Sequence, residues 1–296
     1  MKTKIIIIFI IYFGFSQDTF SIVAVNPYTG EVGSAGASCI AGSIIISDIH
    51  PGLGAIHTQS YWNSGNQNLA TNYMNLGYSP EQIIDSLIAN DVQNNPGVRQ
   101  YGVADLINDG RSAAFSGDDC FDYKGHITGT TYAIQGNILL GEEIILQIEE
   151  NFLNTEGRFS EKLMSALQGA NVPGADTRCL QNGTSSLSAF IRMALPNDGP
   201  NNLILDLNIN NTNNGVEPID LLQTQFTNWN NQQLEIYYGD LNDDDLVNIS
   251  DILLMISNIT SDNYLSIHAL YSADLNNDSN LNIQDIILVL NIILGN

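Results

Sequence analysis

Positive charge is what this chain has least of. Its 296 residues hold nine Lys and Arg against 32 Asp and Glu, a formal net charge of −23, and no Lys or Arg follows Arg192. Such a field repels nucleic acid and anionic membranes, so neither is expected as a partner; it suits divalent cations. Cysteine is also scarce, at Cys39, Cys120 and Cys179 only. An odd number leaves at least one thiol over. One disulfide is compatible with an exported chain, but the sequence does not choose the pair. No CxxC occurs, which argues against a cysteine zinc site. The apolar run 5–13 is far shorter than the ~20 residues a membrane-spanning helix needs. It follows Lys2 and Lys4 and precedes the small residues Gly14 and Ser16. Residues 1–16 therefore read as a secretory signal, cleaved to leave Gln17 first, and the protein is expected to be secreted, with no transmembrane segment.

What is present begins with the stretch TFSIVAVNPYTGEVGSAGAS at 19–38. Apolar and small residues alternate, Asn26-Pro27-Tyr28-Thr29-Gly30 supplies a turn, and a second strand of small residues follows, so a β-hairpin is predicted. Further strands are predicted at 52–59, 99–107, 111–117, 131–135, 185–195 and 203–210. Two helices are expected after residue 59. The second has Ser79 as N-cap, Pro80 at the first helical position and Gln82 for a capping box. Helices over 142–154, 159–168 and 217–229 complete the first domain, placed at 19–231. Strands in hairpins with helices grouped between them argue a layered α+β domain with mainly antiparallel sheets.

With so few basic residues, each is informative. Arg158 and Lys162, four apart on a helix, read as a solvated face. Arg99, Arg111, Lys124 and Arg178 fall at strand ends or in polar loops. They either pair with acids or form an electropositive pocket for a carboxylate or a developing oxyanion.

The blocks TFSIVAVNPYTGEVGSAGAS, GAIHTQSYWN, RQYGVADLINDGR, SGDDCFDYKGHITG, YAIQGNIL and GADTRCLQNGTSS fall in one order along the chain. In that order they resemble the motifs of the DUF1028 family, over about 19–231. The resemblance implies the αββα sandwich of N-terminal-nucleophile (Ntn) hydrolases and amide hydrolysis by an N-terminal hydroxyl or thiol, with its own α-amine as base. Thr19 matches the nucleophile position, but the predicted signal cleavage leaves Gln17 and Asp18 ahead of it. Thr19 is then either freed by other processing or is merely the first residue of an edge strand. Asn137, in a loop after a strand, is the preferred oxyanion donor, though turn formation also explains it. His126 and His57 are candidate bases, although a lone histidine is more often structural. Arg99 is the candidate for charge stabilisation. Lys124, Asp176, Arg178 and Gln181 are candidate substrate-binding residues or simply mutual partners. Ser21 and Ser38 are weaker nucleophile candidates. No cofactor is expected in this domain.

Beyond a linker at 232–238, residues 239–296 carry a duplication. Asp240, Asn242, Asp244, Leu246, Asn248 and Asp251 occupy positions 1, 3, 5, 7, 9 and 12 of one loop. Asp274, Asn276, Asp278, Asn280, Asn282 and Asp285 occupy the same positions of a second loop starting 34 residues on. That is the EF-hand ligand plan for Ca²⁺, with position 7 offering its carbonyl, so two ions are predicted. Position 6, usually Gly, is Asp245 and Ser279, and position 12 is Asp instead of Glu. A small all-α, duplicated EF-hand-like module with these departures resembles the dockerin of cellulosomes. The resemblance implies a cohesin-like partner on a scaffold or surface protein, bound through Ile249-Ser250 and Ile283-Gln284 and the helices that follow. A homo-oligomer is compatible with the sequence. The expected whole is an exported amide hydrolase of unknown substrate (a peptide, peptidoglycan fragment or related molecule) on a calcium-dependent tether. The rival is a non-catalytic adhesion or glycan-binding protein that keeps the same fold.

Overall fold

The structure is a computed structural model. It describes residues 19–234, 238–242, 244, 246–261, 265, 267–276, 278 and 280–295. The predicted signal peptide, Gln17, Asp18, Asp245 and Ser279 lie outside the described residues.

The first domain has ten strands in two antiparallel sheets. The larger sheet contains β1 (Phe20–Asn26), β2 (Glu31–Ser38), β7 (Gly125–Thr128), β8 (Tyr132–Gly136), β9 (Ser188–Ala194) and β10 (Leu205–Ile209), in the order β10-β9-β2-β1-β8-β7. The smaller is β3 (Ser47–His50), β4 (Gly54–Ser60), β5 (Arg99–Asp105) and β6 (Arg111–Ser116), in sequence order. The sheets face each other through β1 and β8 of one and β4 and β5 of the other. Helices α1 (Ser64–Asn75) and α2 (Pro80–Ala89) cover the smaller sheet. Helices α3 (Glu143–Asn154), α4 (Phe159–Gly169) and α5 (Pro218–Leu234) cover the larger. The result is four layers, helix-sheet-sheet-helix. Strands β3 and β7, four residues each, carry too short a pattern to be read from sequence and were not predicted. Helix α5 runs to Leu234, so residues 232–234 of the predicted linker are helical.

Side-chain alternation along β1 decides what each layer receives. Phe20, Ile22 and Ala24 point to the helices and join the largest core with Ile144, Leu163 and Phe226. Burying such a side chain stabilises by ~1.5–3 kcal/mol relative to leaving it exposed. Val23 and Val25 point to the other sheet and meet Ile49, Ala55 and Ala104. Toward the other end of β1 the same inward face is polar, beginning with Ser21. The sheet-to-sheet seam is therefore apolar at one end and hydrogen-bonded at the other.

The predicted start of α2 holds: Ser79 and Gln82 form a reciprocal capping box and Pro80 opens the helix. The disulfide joins Cys39 to Cys179. Cys120 is the cysteine outside it, buried with its Sγ 3.4 Å from the Arg99 carbonyl.

The C-terminal region is helical: α6 (Ile249–Thr260), α7 (Ile267–Ala273) and α8 (Ile283–Leu294). Ile252, Met255, Ala269, Ala273 and Val289 make its core. Helices α6 and α8 start in the same way. Asn248 and Asn282 are the N-caps, and Asp251 and Asp285 reach back from the third helical position to close a capping box. No helix among the described residues is long and apolar enough to cross a membrane.

Candidate functional site

Thr19 stands at the polar end of the seam, just ahead of β1. Strand β1 lies between β2 and β8, inside its sheet. The alternative that Thr19 merely opens an edge strand is thereby set aside. The β1–β8 register pairs Phe20 with Gly136, and the β1–β2 register pairs Phe20 with Ala37. One residue further along, Thr19 falls between Asn137 and Ser38. Its backbone confirms the first neighbour: Asn137 N–H donates to Thr19 O at 3.2 Å, and Thr19 N–H donates to Asn137 Oδ1 at 3.3 Å. From the facing sheet, Gln59 Nε2 donates to Thr19 O at 3.0 Å. Thr19 and Asn137 are both fully buried.

Two residues beside Thr19 adopt left-handed backbone conformations. Ile138, directly after Asn137, has φ 55°, and Ser60, at the end of β4, has φ 67°. A β-branched residue at positive φ is costly. Asn137 Nδ2 donates to Ser60 Oγ at 3.4 Å, so the two distorted segments meet at the Asn137 amide. Strain of this kind concentrates at functional sites, where the surrounding structure holds it in place.

Behind Thr19 runs a chain of buried amides. Ser21 Oγ donates to Gln59 Oε1 at 2.6 Å and accepts from Gln135 Nε2 at 2.6 Å. Gln59 Nε2 also donates to Gln100 Oε1 at 2.7 Å, and Gln100 Nε2 reaches Ser116 Oγ and the Gly136 carbonyl. A Cβ at position 102 would lie 1.9 Å from Gln135 Oε1, so Gly102 leaves the space that Gln135 fills. His57 closes the chain, with Nδ1 3.4 Å from Gln135 Nε2 and its ring edge-on to Phe190. Burial, helped by the Arg192 charge, pushes the His57 pKa down to about 3, so the imidazole is neutral at physiological pH. A base that weak does not hold a proton during turnover near neutrality. Both hydrogen-bonding functions of the Ser21 hydroxyl are taken up inside the seam.

On the other side of Thr19, Ser38 leads to the polar turn at 176–182. Arg178 Nη2 donates to Ser38 Oγ at 3.4 Å and to Asp176 Oδ2 at 2.6 Å. Asp176 is fully buried and also accepts from Cys39 N–H at 2.9 Å. The Cys39–Cys179 disulfide ties this turn to the end of β2. Gln181 is exposed on the same turn.

Thr19, Asn137, Asp176 and Arg178 are thus gathered around the end of β1. The remaining candidates sit elsewhere. Arg99 lies on the opposite face of β5 from Gln100 and points into the helix layer. There Nε donates to Asp91 Oδ2 at 2.8 Å, Nη2 to Gln93 Oε1 at 2.7 Å, and Nη1 to the Tyr61 carbonyl. Arg99 and Asp91 are 2% and 1% exposed. Burial would raise the Asp91 pKa, but the Arg99 hydrogen bond and three further donors hold its carboxyl well below the usual range. His126 is exposed on β7 with Nδ1 3.0 Å from Ser116 Oγ; partial burial lowers its pKa. Lys124 pairs with Asp122 at 2.9 Å, and Arg111 pairs with Asp105. Gln59, Ser60, Gln100 and Gln135 belong to the seam but were not singled out from sequence. The available signal for the three glutamines was a polar side chain within a predicted strand; Ser60 lies one residue beyond the strand predicted at 52–59.

The two Asp- and Asn-rich loops fold alike. In the first, Asp240 Oδ1 and Asn242 Oδ1 accept from Asp244 N–H, Asp244 Oδ1 accepts from Leu246 N–H, and Asp251 Oδ1 accepts from Leu241 N–H. In the second, Asp274, Asn276, Asp278 and Asp285 make the equivalent contacts to Asp278, Asn280 and Leu275. Asn248 and Asn282 cap the following helices. Asp240, Asp251 and Asp285 are buried in a region whose sequence contains no Lys or Arg. Acidic loops in a segment that supplies no Lys or Arg of its own fit a hard divalent cation. Among the described residues, no three carboxylate, imidazole or thiol groups stand close enough to hold a metal by themselves.

A four-layered antiparallel domain with a buried threonine beside two left-handed residues at one end, followed by a duplicated acidic-loop module, defines the class of protein. The chain belongs to the family of unknown function DUF1028, whose model matches residues 19–219. Residues 238–294 match the Dockerin type I domain, a calcium-binding module. The crystal structure of a DUF1028 protein from Silicibacter pomeroyi is similar with a TM-score of 0.59 and 23% identity, covering 71% of this chain and 88% of that one. That likeness speaks to the fold. No curated protein matches the chain.

Proposed function

We propose that the first domain is an Ntn-type amide hydrolase whose nucleophile is Thr19, active once the residues before it have been removed. The observation that carries this reading is the meeting of Thr19 with the Asn137 amide beside two left-handed residues, at the polar end of the sheet seam. The family match also opens at Thr19.

The steps are those of acyl transfer. The Thr19 hydroxyl attacks the substrate carbonyl carbon and passes its proton to the Thr19 α-amine. Asn137 Nδ2, which reaches Ser60 Oγ at 3.4 Å, donates to the oxyanion. Collapse breaks the C–N bond, and the leaving amine takes the proton from the α-ammonium. Water then hydrolyses the Thr19 ester to release a carboxylic acid. While Asp18 remains attached, the Thr19 nitrogen is an amide and cannot act as the base. The Arg178–Asp176 pair and Gln181 border the substrate's approach past Ser38. Substrates are peptides, peptidoglycan fragments or related small amides. The rival, a non-catalytic glycan-binding or adhesion protein, draws on the complete burial of Thr19.

The second domain is read as a dockerin that holds two Ca²⁺ ions through Asp240, Asn242, Asp244, Leu246, Asn248 and Asp251, and through Asp274, Asn276, Asp278, Asn280, Asn282 and Asp285. It tethers the exported protein to a cohesin-bearing scaffold. The exposed Ile249, Leu253, Ile283 and Ile287 offer the apolar surface for that contact. The test for the first domain is an amide-substrate screen on mature protein with Thr19→Ala and Thr19→Ser alongside. The reading expects loss of turnover in the first variant and retention in the second. Equal turnover in Thr19→Ala removes it.

A further inference from the structure

Arg158 is the residue just before α4, and the sequence assigned it to a solvated face. The structure puts it against the C-terminal module instead. Its guanidinium carbon lies 5.6 Å from the ring centroid of Tyr238 and 5.6 Å from that of Tyr271. Nη2 also donates to the Tyr238 hydroxyl at 2.9 Å. Distances of this order place a cation within attractive range of both ring faces. Asn26, Thr29, Glu31 and Arg158 of the first domain and Tyr271 and Asp274 of the second line one small cavity.

The two tyrosines stand just ahead of the acidic loops. Tyr238 stands two residues before Asp240, and Tyr271 stands three before Asp274. These aspartates are position 1 of the two acidic loops. Gly239 N–H donates to the Ser272 carbonyl at 2.9 Å, so the two loop starts are joined to each other. Arg158 therefore grips both loop starts at their junction. It is also one of seven basic residues beyond the predicted signal, in a chain whose last 104 residues have none.

We infer that Arg158 seats the C-terminal module on the first domain, and that calcium loading of the two loops and this seating favour each other. An ion fixes Asp240 and Asp274, and with them the short segments carrying Tyr238 and Tyr271 in the geometry Arg158 accepts. By linkage, the seat returns the same free energy to ion binding. The inference rests on the reading of these loops as calcium sites, but not on Thr19 chemistry.

The test uses the full chain, titrated with Ca²⁺ by calorimetry and melted with and without chelator, as wild type, Arg158→Ala and Arg158→Lys. Coupling of this kind typically changes affinity about fivefold or more. The expected result is a Ca²⁺ affinity about fivefold weaker in Arg158→Ala, with Arg158→Lys between it and wild type. Calcium should raise the melting temperature of the first domain in wild type and leave it unmoved in Arg158→Ala. Equal isotherms for all three proteins, or a first-domain transition indifferent to Ca²⁺ in a wild type that binds the ion, overturns the inference. Should Arg158→Ala fail to fold, Arg158→Lys and the wild-type melting shift decide. Absence of Ca²⁺ binding in wild type would instead remove the calcium reading itself, and this inference with it.

Discussion

Arg99→Met separates structural from catalytic use of a buried charge. The methionine keeps most of the side-chain volume and removes the guanidinium. It leaves the Asp91 carboxylate, 1% exposed, without its cation. Breaking a buried pair from one side typically costs ~3–5 kcal/mol. Here the low end applies, because Asp91 keeps Asn66 Nδ2 at 2.6 Å and the backbone N–H groups of Gln93 and Asn95 at 2.9 and 3.0 Å. For a domain of this size, about 3 kcal/mol lowers the melting temperature by roughly 6–12 °C. The assay is thermal and denaturant unfolding followed by circular dichroism, with Asp91→Asn/Arg99→Met as the compensating double variant. The Asp91 pKa is depressed in the folded state, so the pair's contribution is present above the ordinary carboxylate range. It is lost as pH falls from about 4 toward the folded value, and the gap between wild type and variant should close there. A loss below about 1 kcal/mol, together with abolished turnover in folded protein, would refute the structural assignment. It would return Arg99 to the catalytic role first expected from its position at a strand end.

Two further outcomes are expected. Burial pushes the Glu31 pKa up to about 7, against hydrogen bonds from Thr29 and Asn26 and the charge of Arg158. A raised folded pKa means stability is full below about pH 4.5 and falls as pH rises to 7. Glu31→Gln should therefore match wild type near pH 4 and exceed it by up to about 3 kcal/mol at pH 8, as measured by urea unfolding. Calcium removal should abolish the protease resistance and the helical circular dichroism contributed by residues 238–295. An unchanged spectrum in chelator would contradict the loop assignment.

Much of this was legible in the sequence because local rules and tertiary demands agree there. The β1–β2 turn, the Ser79-Pro80-Gln82 helix start and the two 12-residue loops each carry their own chemistry at fixed spacing. Strands β3 and β7 did not show, because four residues make too short a period and their place is set by pairing with β4 and β8. The role of Arg99 was hidden for a related reason. Alternation tells that Arg99 and Gln100 face opposite ways, but not which face meets helices and which meets the second sheet. The amide chain through Gln59, Gln100 and Gln135 exists only once two sheets are stacked. Likewise, the pairing of Cys39 with Cys179, 140 residues apart, follows from the turn at 176–182 folding back beside Ser38.

One comparison bears most directly on the central proposal. Protein whose first residue is Thr19 by intact mass should be assayed against amide substrates beside protein that retains Asp18. Turnover by the first form alone, and its disappearance in Thr19→Ala, is the predicted result. Equal turnover by the Asp18-bearing form would contradict the account.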